Sequence, residues 1–228
     1  MLTIEKTVIM TPEQFEIVIE GMRNPLNSWD LSDSRIMESE QFLYFHLGEK
    51  DHDLAMRLAE NGPVHAKYRR MMPIWVTINA PLYWWKEFDT YKVGTVVNSC
   101  STMHKIQEHE FTMDDFSCEH LMEWDDYEND IKPLQSERTV NYKWVMLDTI
   151  SALNNARDLY LLSNRDKRFW WQMIQLLPTS YNQKRTIFLN YEVLANIYIS
   201  RKDHKLEEWR TFCKWIEQLP HSDLITGK

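Results

Sequence analysis

Glycine, proline and positive charge are all in short supply in this chain. It has only 5 glycines and 8 prolines in 228 residues, too few for the many tight turns of a β-sandwich or barrel, and this favours long helices. Its 34 acidic residues outnumber its 26 lysines and arginines, which gives a net charge of −8. Because duplex binding requires a basic face that neutralises phosphates, we do not expect nucleic acid to be a partner.

Cysteines and long apolar runs are also scarce. The three cysteines, Cys100, Cys118 and Cys213, do not make a paired disulfide framework. No signal peptide opens the sequence, and no apolar run is long enough to span a bilayer, so we expect a soluble cytoplasmic protein with no membrane partner. The GxSxG, P-loop and GxGxxG motifs are missing as well, which leaves the usual hydrolase, NTPase and dinucleotide-fold interpretations without support.

What the chain does have is many bulky apolar side chains, including 10 tryptophans and 12 methionines. A composition that is 43% hydrophobic and 26% charged is typical of a globular protein, and a chain of this length can bury a sizeable core. Most of the bulky residues are expected in that core, and the others in a pocket or a subunit interface. No linker divides the sequence convincingly, so we predict one domain over residues 1–228.

Local patterns predict strands mainly in the first half of the chain. In chain order, we predict a strand over 2–10, a helix from the Thr11-Pro12-Glu13-Gln14 start signal to about Arg23, a helix over 50–61 and a strand over 71–80. Residues 41–48 fit either a strand or the start of a buried helix, and periodicity does not decide between the two.

From Ser136 onward the pattern changes to successive helices. Apolar residues between Leu147 and Leu162 recur near the helical period, and further helices are predicted over 186–202 and 206–219. The sequence therefore predicts an α+β fold that has a small antiparallel sheet and a largely helical second half.

A metal site and a cysteine nucleophile both fit the sequence less well than structural roles for the same residues. His104, His109 and His120 lie among acidic residues, but their spacing matches no common zinc arrangement, so a solvated surface is favoured and no metal is predicted. Cys100 would share a helix face with His104 if that segment were helical. An inert buried cysteine is favoured over a nucleophile there.

The predicted helix over 186–202 has polar residues among apolar ones. Asn190 and Asn196 require hydrogen-bonding partners if they are buried, and Arg201 lies near the end of the helix. An arginine fork suits a phosphate or the edge of a pyrimidine. Hydrogen bonds between helices are the alternative role for the two asparagines.

Residues 80–104 resemble the signature region of the flavin-dependent thymidylate synthases. That family has an Ala-Pro-aliphatic-aromatic lead-in, then Arg-Gln-aromatic, then a signature of Arg-His-Arg, Ser, Asn-Glu, Ser and Arg-Tyr. Here the lead-in is Ala80-Pro81-Leu82-Tyr83, and the next two positions are filled by Lys86-Glu87-Phe88 and Thr90-Tyr91-Lys92. After one inserted residue, the Asn, Glu, Ser, Arg and Tyr positions are taken by Asn98, Ser99, Ser101, Met103 and His104.

Residues 177–209 are similar to a second pattern of the same family. The matching residues are, in order, Leu177, Pro178, Asn190, Leu194, Asn196, Arg201, Asp203 and Trp209. Two positions depart from the pattern. Glu192 replaces an arginine that contacts the flavin in the family, and Ile174 stands where an arginine that binds the nucleotide is expected.

The resemblance implies a function and an assembly. It implies a homotetramer in which FAD and dUMP, or a related pyrimidine nucleotide, meet at a subunit interface. A one-carbon unit would pass from methylenetetrahydrofolate to the pyrimidine, with reduction by FAD and with NADPH as a further co-substrate. Arg201 would polarise the pyrimidine and stabilise negative charge that develops on the ring, and Ser101 would accompany it at the catalytic site.

The same resemblance implies two sets of binding residues. The nucleotide would be bound by Lys86, Glu87, Thr90, Asn98, Ser99, Ser101, Met103 and Arg201. The flavin would be bound by Tyr91, Lys92, Asn190, Glu192 and Asn196. Several of these positions lack the family's arginines, and each lost charge-assisted contact weakens binding by roughly 1.5–3 kcal/mol. The alternative function is therefore a non-catalytic relative that binds a nucleotide or a protein partner.

Overall fold

A computed structural model describes residues 1–123 and 140–227 of the chain. About 50% of it is helical, and with its small sheets this confirms the predicted α+β fold. The strands are β1 (Thr3–Val8), β2 (Arg35–Glu38), β3 (Leu43–His46), β4 (Pro73–Pro81), β5 (Val96–Ser99) and β6 (Asn182–Asn190). The helices are α1 (Pro12–Arg23), α2 (Glu49–Glu60), α3 (Leu82–Phe88), α4 (Thr102–Lys105), α5 (Tyr142–Leu162), α6 (Lys167–Leu176), α7 (Tyr191–Arg201), α8 (Glu207–Glu217) and α9 (Asp223–Thr226).

The strands form two sheets among the described residues. One has four strands in the order β1-β4-β6-β5, so β5 lies at an edge. The other is the antiparallel pair of β2 and β3, with its register running from Arg35 opposite His46 to Glu38 opposite Leu43. Residues 41–48, which the sequence left open between strand and helix, therefore contain a strand.

The start of α1 forms as its sequence predicts. The Thr11 hydroxyl accepts a hydrogen bond from the Gln14 backbone N–H, and the Gln14 side chain accepts one from the Thr11 N–H. With Pro12 in the first turn, this is a complete capping box. The helices predicted over 50–61 and 206–219 are confirmed as α2 and α8.

The helix predicted over 186–202 is wrong in its first part. Residues up to Asn190 belong to β6, and α7 begins only at Tyr191. Within β6, Ile187 and Leu189 are buried whereas Thr186 is exposed, which is the alternation of a strand. The helical series predicted from Ser136 begins at Tyr142 in the structure, and residues 136–139 lie outside the described part of the chain.

The chain divides into two compact units, each built from separated segments. The first consists of Met1, Asn79–Glu87 and Ser99–Lys184, and the second of Leu2–Ile78, Phe88–Asn98 and Arg185–Lys228. Neither unit is a contiguous half of the sequence, and the single domain predicted for residues 1–228 stays a prediction.

The first unit has a core between α5, α6 and residues 106–116. Its buried members are Ile106, Phe111, Phe116, Met146, Ile150, Leu153, Ala156, Met173 and Tyr181. The side chain of Asn154 on α5 fastens this segment, because its amide exchanges two hydrogen bonds with the backbone of Phe111. No helix in the described part of the chain is long and apolar enough to cross a membrane.

The second unit buries aromatic residues and one ion pair. Phe88, Trp209 and Phe212 pack together, with the ring centroids of Phe88 and Trp209 6.3 Å apart. Arg23 and Asp51 form a buried ion pair. The other carboxylate oxygen of Asp51 accepts hydrogen bonds from serine hydroxyls and backbone N–H groups of residues 32–34. This network fixes the loop between α1 and β2.

Candidate functional site

Arg201, the residue predicted to polarise the pyrimidine, ends α7 inside an aromatic cluster. Its Nε–H donates a hydrogen bond to the Tyr91 hydroxyl at 2.9 Å. The guanidinium carbon lies 4.8 Å from the centroid of the Trp209 ring and 5.8 Å from that of the Tyr91 ring. Cation–π attraction of this kind strengthens when the groups are shielded from water. We call Arg201, Tyr91 and Trp209 the arginine cluster.

The arginine cluster rests on rigid parts of the second unit. Trp209 is completely buried and packs against Phe88 and Phe212. The backbone N–H of Tyr91 donates to the carbonyl of Phe88 at 2.9 Å, and the Thr95 hydroxyl donates to the carbonyl of Tyr91 at 2.7 Å. The guanidinium is thus held by partners whose own positions are fixed.

Asn190, predicted to bind the flavin, is the N-cap of α7. Its Oδ1 accepts a hydrogen bond from the Val193 N–H at 3.0 Å. A Cβ placed on Gly94 would lie 3.3 Å from the Asn190 Nδ2 and 3.1 Å from Val193, at a positive φ of 82°. Only glycine suits both the close approach and this backbone conformation. The start of α7 therefore packs tightly on the loop that carries Tyr91 and Lys92.

The residues predicted to bind the nucleotide through β5 and α4 lie on the surface of the chain. Asn98, Ser99, Ser101 and Met103 are all exposed. Ser101 is the N-cap of α4, and its hydroxyl accepts a hydrogen bond from the His104 N–H at 3.2 Å. We call residues 98–103 the serine turn. The side chains of Asn98, Ser99, Ser101 and Met103 are therefore open to solvent.

Gln183, which the sequence analysis missed, supports the part of the serine turn that belongs to the first unit. Its Nε2 donates to the Cys100 carbonyl at 3.2 Å and to the Thr102 hydroxyl at 2.8 Å. The backbone carbonyl of Gln183 accepts a hydrogen bond from the Nε1–H of the buried Trp85 indole at 2.8 Å. Gln183 is itself buried, and because neither its burial nor its strand was predicted, no local pattern pointed to it.

The other predicted binding residues have different surroundings. Lys86, Thr90 and Lys92 are exposed, and Glu87 is half-buried. Glu192 is half-buried in the first turn of α7. Asn196 is exposed, so it does not need the partner that a buried asparagine would require, and its predicted flavin contact stays a prediction. Its neighbours in sequence, Ala195 and Ile197, face the interior instead.

Ile174 occupies an apolar setting rather than a site for a charge. It lies on α6 and packs against the buried core of the first unit. The side chain of Ile174 is partly buried and contributes to the packing around this core. The departure from the family pattern at this position therefore replaces a charge with apolar packing.

The cysteine and metal interpretations gain no support from the described residues. Cys100 is exposed, so the favoured expectation of a buried cysteine is wrong, and because it precedes α4 it does not share a helix face with His104. Burial raises the pKa of Cys213 to about 12 and also raises the pKa of Cys118, which disfavours their thiolates. Within residues 1–123 and 140–227, no group of three His, Cys, Asp or Glu side chains is placed to hold a metal ion.

Comparison with solved structures identifies the fold. Thymidylate synthase X (ThyX) from Helicobacter pylori with FAD and dUMP matches 99% of this chain and 97% of its own, with a TM-score of 0.63 and 18% identity. A second structure of that protein, complexed with FAD and dUMP, matches 99% of this chain and 98% of its own. Its TM-score is 0.61 and its sequence identity is 18%. The chain has the fold of a flavin-dependent thymidylate synthase. No protein-family model matches the sequence, and neither does any curated protein.

The thymidylate synthase fold accounts for the separation of the two resembling segments along the chain. Tyr91 comes from the first segment and Arg201 and Trp209 from the second, and the structure joins them in the arginine cluster. Arg201 belongs to the second unit and Ser101 to the first, and the cleft that they are predicted to share stays a prediction.

Proposed function

We propose that this protein is a thymidylate synthase-like enzyme that transfers a one-carbon unit from a folate to dUMP or a related pyrimidine nucleotide, with reduction by FAD. One observation carries the proposal. The tyrosine of the degenerate signature and the arginine of the second segment, 110 positions apart in sequence, meet through a hydrogen bond of 2.9 Å. The arrangement places a guanidinium in a fixed orientation within a fold that binds FAD and dUMP in the Helicobacter pylori protein.

Arg201 is the proposed catalytic residue for charge stabilisation. A planar guanidinium can meet the carbonyl edge of a pyrimidine with parallel N–H groups. Negative charge develops on the ring when a hydride is added, and a donor held in place stabilises it without reorganising at that moment. The stacking on Trp209 supplies the required rigidity.

The nucleotide is proposed to be held by the serine turn and its flanking residues. The hydroxyls and amide of Ser99, Ser101 and Asn98 suit phosphate and ribose oxygens, and Lys86 and Thr90 add a cation and a hydroxyl. Glu87 and Met103 complete the proposed set. Ser101 is the second proposed catalytic residue, because its hydroxyl can both donate and accept near the reacting ring.

FAD is proposed as the cofactor, and the donor chemistry of the predicted residues fits it. The Nδ2 group of Asn190, whose Oδ1 caps α7, can donate to a flavin carbonyl, and the exposed amide of Asn196 offers both a donor and an acceptor. Lys92 offers a point charge to the phosphates, and Glu192 can accept hydrogen bonds from ribityl hydroxyls. When bound, reduced flavin supplies the hydride. Methylenetetrahydrofolate and NADPH are the proposed co-substrates.

We also propose that the protein works as a homotetramer in the cytoplasm. The edge strand β5 is exposed along its whole length, and its first residue, Val96, is 66% exposed. Val93, which precedes the strand by three residues, is 92% exposed. Contiguous apolar groups beside polar ones are typical of interaction surfaces. Light scattering that gives the mass of a single chain at micromolar concentration would contradict the assembly.

Absorption spectroscopy of the purified protein is the first test. The proposal predicts a flavin spectrum, either as purified or after adding FAD, and a further change when dUMP is added. Folate-dependent methylation of radiolabelled dUMP is then expected. A protein that takes up no FAD and shows no spectral response to dUMP would remove the proposal.

A non-catalytic nucleotide-binding relative is the second candidate. Met103 and Glu192 lack the arginine charge of the family pattern, and Ile174 is packed into an apolar core. These departures favour weaker binding of phosphorylated ligands. This candidate predicts that a pyrimidine nucleotide binds without any turnover of folate, so detection of methylated product would exclude it.

A further inference from the structure

Tyr91 has two possible roles in this protein, and the structure favours one of them. The family resemblance implies that the residue at this position contacts the flavin. In the structure, the Tyr91 hydroxyl accepts the Nε–H of Arg201 at 2.9 Å. We infer that Tyr91 is a positioning residue that orients the Arg201 guanidinium for the nucleotide. This inference rests on the proposed function and assigns Tyr91 to the nucleotide side of the site.

The hydrogen bond and the ring contacts constrain Arg201 in different directions. The bond from Nε lies in the plane of the guanidinium and fixes its rotation within that plane. The Trp209 ring, 4.8 Å from the guanidinium carbon, restricts the tilt of the plane. An unrestrained arginine side chain has many rotamers and loses this freedom on binding. A guanidinium oriented in advance loses less of it when the nucleotide arrives.

The supports of Tyr91 are themselves fixed. Its backbone is held on one side by the Phe88 carbonyl and on the other by the Thr95 hydroxyl. Its ring lies against Trp209 with centroids 5.9 Å apart and an edge-to-face angle of 70°. Because these contacts involve the ring and backbone, removing the hydroxyl alone changes the hydrogen bond to Arg201 and leaves the packing in place.

The test is Tyr91→Phe in the full-length protein, with Tyr198→Phe as the matched control. Tyr198 lies on α7 near Arg201, and its hydroxyl donates a hydrogen bond to Glu217 at 2.6 Å. Both variants therefore lose one hydroxyl with a charged partner. FAD affinity is measured by absorbance titration, and dUMP affinity by calorimetry on the FAD-loaded protein.

We expect Tyr91→Phe to weaken dUMP binding about 5–10-fold, less than the loss of a direct hydrogen bond to a charged group, because Tyr91 acts on the nucleotide only through Arg201. FAD affinity should stay within about twofold of the wild type, and Tyr198→Phe should change neither affinity. A parallel loss of FAD affinity would show that Tyr91 contacts the flavin directly and would overturn the inference. Unchanged affinity for both ligands would overturn it as well.

A second measurement follows the contact without any ligand. In urea unfolding, Tyr91→Phe and Arg201→Met should be strongly non-additive, because both remove the same hydrogen bond. Additive effects would contradict the coupling. Failure of the proposed function is distinguishable from these results, because it shows in the wild type, which would then bind neither FAD nor dUMP.

Discussion

The arginine cluster and the serine turn are two parts of one proposed site with opposite physical characters. Trp209 in the cluster is completely buried, and Arg201 has both a hydrogen bond and ring contacts. In the serine turn, Asn98, Ser99 and Ser101 are exposed and Met103 keeps 47% of its surface exposed. The arginine cluster is therefore held by contacts within the second unit, whereas the serine turn presents its side chains at the surface.

This contrast fits the chemistry proposed for each part. A group that stabilises developing charge must be oriented before the reaction, because reorganisation at that moment costs energy. Groups that hold the phosphate and sugar of a nucleotide need only donors within reach, and short exposed side chains supply them at little entropic cost. The predictions below separate the two parts by their effects on stability and on binding.

The largest effect is expected when the cluster loses its buried ring. Trp209→Ala should lower the free energy of unfolding by about 3–5 kcal/mol, because a fully buried indole leaves a cavity. Urea unfolding measures the change. The control is Trp144→Ala on α5, where the side chain is 67% exposed and the loss should stay below about 0.5 kcal/mol. Equal losses in the two variants would show that the cluster is not the rigid part.

The next largest effect concerns binding. Arg201→Met should weaken dUMP binding about 10–100-fold, corresponding to roughly 1.5–3 kcal/mol for a hydrogen bond to a charged group. Calorimetry on the FAD-loaded protein measures it. Arg210→Met is the control, because that arginine is exposed on α8 and donates to the carbonyls of His204 and Lys205. A dUMP affinity that survives Arg201→Met would remove Arg201 from the site.

A smaller effect on stability is expected in the serine turn. Ser101→Ala removes the N-cap of α4 and should cost about 0.5–1 kcal/mol in urea unfolding. The same variant should weaken dUMP binding several-fold, because the hydroxyl is proposed to contact the nucleotide. The serine turn would then contribute more to binding than to stability. A variant that loses stability alone would show that Ser101 is only a helix cap.

The smallest effect concerns His221 in the second unit and the pH dependence of the free energy of unfolding. Burial lowers the pKa of His221 below its usual value of 6.5, although Asp223 opposes the shift. As the pH falls below 6.5, the unfolded chain binds this proton more readily than the folded one, so the free energy of unfolding decreases. His52 and His46 act in the same direction as burial by disfavouring the charged form of His221.

His221→Asn should therefore flatten the loss of stability between pH 7 and acidic pH. Asparagine tolerates the positive φ of 51° at this position, so the backbone can stay as it is. Urea unfolding at a series of pH values gives the slopes for the wild type and the variant. An unchanged slope would mean that His221 does not contribute to the acid loss.

Local patterns predicted much of the fold because the signals lie within a few residues of each other. The capping box at Thr11 and the β-branched and aromatic residues of β4 needed no tertiary information. The boundary between β6 and α7 was missed because the apolar run through Ile187 and Leu189 fits a buried helix as well as a buried strand. Asn190 marks that boundary as an N-cap, a role that only its backbone geometry reveals.

The sequence by itself determined the helical character of the second half and the identity of Arg201 as the candidate catalytic residue. It also determined the likeness to a flavin-dependent thymidylate synthase, which the fold confirms. Only the tertiary structure decided that Tyr91 and Trp209 hold Arg201, that Gln183 supports the serine turn, and that Ile174 belongs to a core. The reason is that burial and side-chain contacts depend on segments far apart in the chain, and no local pattern records which of them meet.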